Sequence, residues 1–193
     1  MAKRRRVQYE LNNGDIKKLS QDEIVAILRA ADELIDTGGR SMLAKILKGS
    51  KDKKVLEYNL NNCPVYGFYS HLTIAEITNR IDFMIRKDYL RIEYNGMLPM
   101  LVFSDKGWEI EKQTYTQEWF ERLTDMIQNK EVNLEIFQEL LKVNRQVVFD
   151  VLELIRNKKN VEYCPILLLW KQFEVRKVRE RIQSVMSSLE ECQ

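Results

Sequence analysis

Glycine occurs 7 times in 193 residues, proline 3 times and histidine once. So few chain-breaking residues exclude collagen-like and low-complexity disordered chains. A composition that is 45% hydrophobic and 31% charged fits a globular protein able to bury a core. Cysteine is also scarce. Cys63, Cys164 and Cys192 lie far apart, so they draw neither a disulfide framework nor a CxxC zinc half-site, and a reducing, cytoplasmic setting is expected. Long apolar runs are missing too. Runs such as Ile166 to Trp170 fall far short of the roughly 20 residues of a membrane span. No apolar stretch follows MAKRRR, so neither a leader nor a membrane partner is expected. Finally, there is no large excess of one charge. Lys+Arg 31 against Asp+Glu 29 leaves +2, which by itself does not argue for a polyanionic partner.

The distribution of charge says more than its sum. Arg40, Lys45, Lys48, Lys51, Lys53 and Lys54 crowd residues 40–54 against Asp52 alone, whereas residues 109–141 are dominated by Asp and Glu. Arg4, Arg5 and Arg6 make a basic cluster in an N-terminal stretch without sustained periodicity, read as an arm over 1–19.

From Ser20 the chain becomes periodic. Ser20-Gln-Asp-Glu23 has the form of a capping box, and Ile24, Ile27, Leu28 and Ala31 follow at helical spacing up to Thr37-Gly38-Gly39. Met42, Leu43, Ile46 and Leu47 predict a second helix ending at Gly49. Ser50 is placed to cap a third through Val55 and Leu56. Thr73 and Glu76 form another capping box, with Ile74, Ile77, Ile81, Met84 and Ile85 as one stripe of a helix ending near Lys87. Leu90, Ile92 and Tyr94 then alternate with polar residues, and Asn95-Gly96 predicts a type I′ hairpin turn. Helices followed by one hairpin give the order of a winged helix, closed here by Ser104 to Gly107. From Thr116 the pattern is helical throughout. The expected fold is therefore mainly α with a small β-hairpin (α+β): a winged helix over 20–113 followed by an α-helical domain over 114–193.

The stretch GRSMLAKILKGSKDKKVLE (39–57), the pair Tyr66-Gly67, DYL before the hairpin and PMLVFSDKG after it resemble the RQC domain, the winged helix that follows the motor of RecQ-type DNA helicases. The likeness covers about residues 22–112 and extends to a bacterial family of stand-alone RQC-like proteins. No GxxxxGK[ST] loop occurs, and the four-cysteine zinc platform of many RecQ proteins is absent, so no motor is expected in this chain. The resemblance implies DNA binding and a wing tip that stacks on a terminal base pair.

Lys51, Lys53 and Lys54 fall where a helix should start behind Ser50. Cations there oppose the helix dipole by about 0.3–1 kcal/mol each, unless a phosphate sits at the terminus. With Arg40, Ser41 and Lys48 they form one candidate phosphate grip; the bland alternative is a solvated lysine-rich turn. Opposite the isoleucine stripe of the 73–87 helix, Asn79, Arg80, Phe83, Arg86 and Lys87 are candidates to lie beside the duplex, equally compatible with an ordinary polar face. Tyr94 and Met97, flanking Asn95-Gly96, are expected to face each other at the wing tip, either as a wedge or simply as a closing pair. Arg4, Arg5 and Arg6 would track the DNA backbone or merely solubilise a terminus. His71 stands alone and no paired-carboxylate or nucleophile grouping rises above background. No metal, cofactor or enzymatic activity is expected.

The sequence thus points to a non-enzymatic protein that engages duplex or fork DNA through phosphates and is accessory to DNA repair or replication. Its C-terminal helices would dock a helicase, another protein or a second protomer. Two alternatives stand beside this: a dimeric winged-helix transcription regulator that reads a palindrome, and a protein-interaction module for a helicase.

Overall fold

In the computed structural model, residues 10–35 and 37–190 are described; Arg4, Arg5 and Arg6 lie outside them. The described residues form two compact units that divide between Glu111 and Lys112.

The first unit is built on three helices: α1 (Gln21–Asp32), α2 (Arg40–Lys48) and, after the one-turn α3 (Lys53–Glu57), α4 (Ile74–Arg86). Both capping boxes form. Ser20 and Thr73 accept from the amides of Glu23 and Glu76, whose carboxylates reach back to the cap amides. The apolar stripes meet in one core of Ile27, Leu28, Leu43, Ile46, Leu47, Ile77, Ile81 and Met84, to which the hairpin adds Leu90 and Leu101. Ile74, counted in the α4 stripe, stays 43% exposed.

Strands β1 (Leu90–Asn95) and β2 (Leu98–Phe103) pair antiparallel, and the Leu101 amide donates to the Gly38 carbonyl, tying the hairpin to the α1–α2 turn. The register differs from expectation. Asn95 faces Leu98 and Tyr94 faces Pro99, so the two-residue loop is Gly96-Met97 and not Asn95-Gly96. Gly96 has φ 64 in the first central position, where type II′ hairpins place glycine.

The helix α5 (Asp105–Asn129) follows at once, where the sequence closes the winged helix over Ser104 to Gly107 and reads as helical only from Thr116. Ser104 starts it by accepting from the Gly107 amide while donating to the Asp88 carbonyl. Gly107 is buried in the first turn of α5, packed against Tyr89 and Leu28.

A polar cluster braces α1 against α4. Glu23 accepts from the Tyr69 hydroxyl at 3.0 Å and the Arg80 Nε at 3.2 Å in addition to the Ser20 amide. Burial pulls the Glu23 pKa up, but the Ser20, Tyr69 and Arg80 hydrogen bonds outweigh it and leave it below the ordinary value of 4.5. Burial and the Glu23 charge raise the Tyr69 hydroxyl. A carboxylate with a lowered folded-state pKa stabilises the fold above its unfolded value and loses that contribution as pH falls through the folded one. Urea midpoints should therefore drop as the pH falls below about 4.5. Glu23→Gln should show a smaller drop between neutral and acid pH; an identical drop in both proteins would remove Glu23 from the account.

In the second unit the remainder of α5 is followed by α6 (Glu135–Leu140), α7 (Arg145–Lys158), α8 (Cys164–Phe173) and α9 (Arg176–Glu190). α9 packs on α7 and α8, burying Val147, Val151, Ile155, Ile166, Leu167, Trp170, Val178 and Ile182. Trp170, Phe173 and Val178 lie in the stretch that reads as helical throughout, but they do not share one helix. The chain instead breaks at Glu174, whose buried carboxylate accepts from the Trp170 indole at 3.0 Å and from Arg145 at 2.9 Å. No helix among the described residues is long and apolar enough to cross a membrane.

Candidate nucleic-acid interface

The lysine loop is held from its inner side. α2 stops at Gly49, Tyr66 donates its hydroxyl to the Ser50 carbonyl at 2.9 Å, and the Gly67 and Tyr69 amides donate to the carbonyls of Ile46 and Leu47. Ser50 is not the helix cap. Its hydroxyl accepts from the Asp52 amide, and Asp52 caps α3 by accepting from the Lys54 amide at 3.0 Å. Asp52 also accepts from Lys45 at 2.8 Å. The Lys45 hydrogen bond first, then the Lys54 amide, holds its carboxyl below the usual range.

Two expectations are corrected here. The first turn of α3 offers no open anion seat, because a carboxylate already fills it, and Lys51 lies outside the helix. Nor do the named residues form one loop. Arg40 and Ser41 begin α2, while Lys48, Ser50, Lys51, Lys53 and Lys54 lie at or beyond its other end, about 13 Å away along a nine-residue helix. What the loop presents outward is the exposed trio Lys51, Lys53 and Lys54; Lys48 donates to the Ser70 carbonyl at 2.5 Å.

The start of α2 is the more open helix terminus. Gly39 caps it without a side-chain acceptor, its first turn holds no acid, and the Ser41 side chain is exposed. Arg40 does not project there. Its Nη1 lies 2.6 and 2.7 Å from the two oxygens of Asp82, a residue 2% exposed on α4.

The face of α4 opposite the core is covered over its middle, where Asp82 and Phe83 are buried and Asn79 and Arg80 half-buried, while Ala75, Glu76, Arg86 and Lys87 stay exposed. The segment before α1 runs over it: the Asn12 amide donates to Asp82 at 2.8 Å, Arg86 donates to the Asn13 side chain at 2.6 Å, and Gly14 lies against Asn79. Arg80 is bound to Glu23 and to the Glu76 carbonyl and sits over the Tyr69 ring. Phe83, expected on the outer face, is 6% exposed. Residues 10–19 are accordingly a strap in their described part, with Leu19 buried in the core.

At the wing tip the side chains left in solvent are Met97, 38% exposed, and Leu98, 63% exposed, with Asn95 and Gly96 beside them. Leu98 was missed in the sequence because the register placed it one step down the strand. Tyr94 is half-buried opposite Pro99 and does not face Met97.

The family model of the RQC domain matches residues 15–122. The chain belongs to the RQC family. It is also 30% identical over 133 residues to the ATP-dependent DNA helicase RecQ of Bacillus subtilis (strain 168), an alignment that covers 69% of this chain and 21% of the helicase. The chain thus spans about a fifth of the length of the curated relative it matches. No solved structure matches it. The RQC match contains the lysine loop, α4 and the wing, whereas Asn12, Asn13 and Gly14, which roof α4, and all of α6 to α9 fall outside it.

Proposed function

We propose that this RQC protein binds duplex or fork DNA without catalysis, chiefly through backbone phosphates, as an accessory to DNA repair or replication. The observation that carries the reading is the exposed trio Lys51, Lys53 and Lys54, clustered on a loop that Tyr66 and Asp52 anchor from its inner side. The open start of α2, with Ser41, supplies a second phosphate seat, and Met97 and Leu98 offer an apolar tip for a terminal base pair. RecQ of Bacillus subtilis is named as a DNA helicase, which favours DNA as the polyanion. The strap over the middle of α4, which engages Asp82 and Arg86, favours binding with little sequence preference over a palindrome-reading regulator.

The test is fluorescence anisotropy on blunt, forked and single-stranded DNA of scrambled sequence across a salt series. The wild type is expected to show a slope of log K against log salt of about −3 to −6. Lys51→Ala/Lys53→Ala/Lys54→Ala should remove about 2.7 units of that slope and weaken binding equally on unrelated sequences. A protein that binds no scrambled DNA at low salt would refute the reading.

A further inference from the structure

A second basic site lies away from the lysine loop. The end of the strap, the C-terminal end of α4 and the first turn of α5 enclose a recess of about 420 Å³, into which Lys17, Lys18, Lys87 and Lys106 converge over Phe83 and Tyr89. No carboxylate is among the described residues that line it. Two of the four lysines have a structural reason to be there. Lys87 caps α4, and Lys106 donates to the Lys87 carbonyl at 3.1 Å while lying 3.5 Å from the centroid of the Tyr89 ring, both at the negative end of the helix dipole. Lys17 and Lys18 have no such reason. Both are exposed and are carried to the recess by Leu19, which is anchored in the core beside them.

We propose that this recess holds the phosphodiester backbone of a single DNA strand, such as the free strand at a fork. Four like charges facing one space repel one another, and a run of phosphates is the ligand that turns this into attraction. The aromatic floor does not compete for that role: Phe83 is buried and Lys106 already covers Tyr89, so the site offers charge and not a stacking platform. Lysines on three elements line one concave recess, into which a flexible single strand can bend successive phosphates, whereas a stiff duplex offers its backbone on a convex surface. The inference rests on the proposed DNA binding but assigns a different surface and a different part of the DNA.

The experiment compares a blunt duplex with the same duplex carrying an oligo(dT) tail, for the wild type and for Lys17→Glu/Lys18→Glu. The tail is expected to tighten wild-type binding by about 10-fold. The variant should lose that increment, and at least about 1.4 units of salt slope on tailed DNA, while binding blunt duplex as the wild type does. Its thermal midpoint should not fall, since both side chains lie in solvent and the change removes like charge from the recess. Absence of a tail increment, or an increment that survives in the variant, overturns the proposal while leaving the lysine-loop reading intact. Blunt duplex left unbound while the tail increment appears removes the duplex reading and keeps the recess. If polyglutamate binds in place of oligo(dT) and is lost in the variant, the recess takes acidic peptide and the proposal falls.

Discussion

Gly107→Ala is expected to destabilise the winged-helix unit by about 2–3 kcal/mol, lowering its thermal midpoint on the order of 10 °C. On propensity alone the change should help, because alanine inside a helix is favoured over glycine by about 1 kcal/mol. Packing reverses the sign. A Cβ at this position would be driven into the Tyr89 carbonyl oxygen, with the Tyr89 carbonyl carbon at 3.0 Å and Leu28 Cδ2 at 3.3 Å. Neither neighbour yields cheaply. Tyr89 is backbone at the root of the wing, held by the Ser104 amide, and Leu28 is a fully buried member of the core. Relief would have to come from lifting α5 off the hairpin, which also pulls Ser104 from the Asp88 carbonyl. Thermal and urea denaturation followed by far-UV circular dichroism would check this; a variant more stable than the wild type would mean that α5 does not start against the wing.

Gly107 also shows where local reading of the sequence stops. The capping boxes at Ser20 and Thr73, the α2 stop at Gly49 and the alternation of Leu90, Ile92 and Tyr94 were legible because each is decided within a few residues. Gly107 reads as the close of the winged helix and not as part of α5, because the contact that requires it comes from another part of the chain. The hairpin register escaped for a different reason. Pairing Tyr94 with Met97, as expected, or with Pro99, as found, leaves the same alternate residues on the core face, so hydrophobic alternation does not separate the two. The observed register gives Leu90 a partner in Phe103.

The candidate site was legible as charge and not as geometry. The crowding of Lys51, Lys53 and Lys54 is visible in composition, and their exposure follows from lysine chemistry. The helix-terminus argument attached to them failed because Asp52, the one acid in the run, takes the cap itself. The fate of α4 was illegible in principle from local pattern: Asn12 and Asp82 meet across 70 residues, Asn13 and Arg86 across 73. Nothing in an unpatterned Asn-Asn-Gly stretch announces which helix it will cover.

Arg40→Ala is expected to cost about 3–5 kcal/mol, because it leaves Asp82 as a buried carboxylate without its counter-charge. The Asp82 side chain is 2% exposed and the Arg40 side chain 16%, so water replaces little of what is lost; of the other contacts of Asp82, the Asn12 amide is a single neutral donor. Removing both charges should be far milder. Arg40→Met/Asp82→Leu fills the same space without a charge to desolvate, and in buried ion pairs such replacement is often close to neutral. A double-mutant cycle in urea should thus return a coupling energy of a few kcal/mol, and additive single variants would mean that the pair is solvated. The same variants separate scaffold from interface. If Arg40 is spent on Asp82, the apolar double variant should bind DNA with the wild-type salt slope, whereas a phosphate contact by Arg40 would cost about 0.9 of a unit. An unchanged slope with a large coupling energy would assign Arg40 to holding the start of α2, and with it Ser41, against α4. An arginine in the most RQC-like stretch of the sequence would then act on DNA only through the helix it positions.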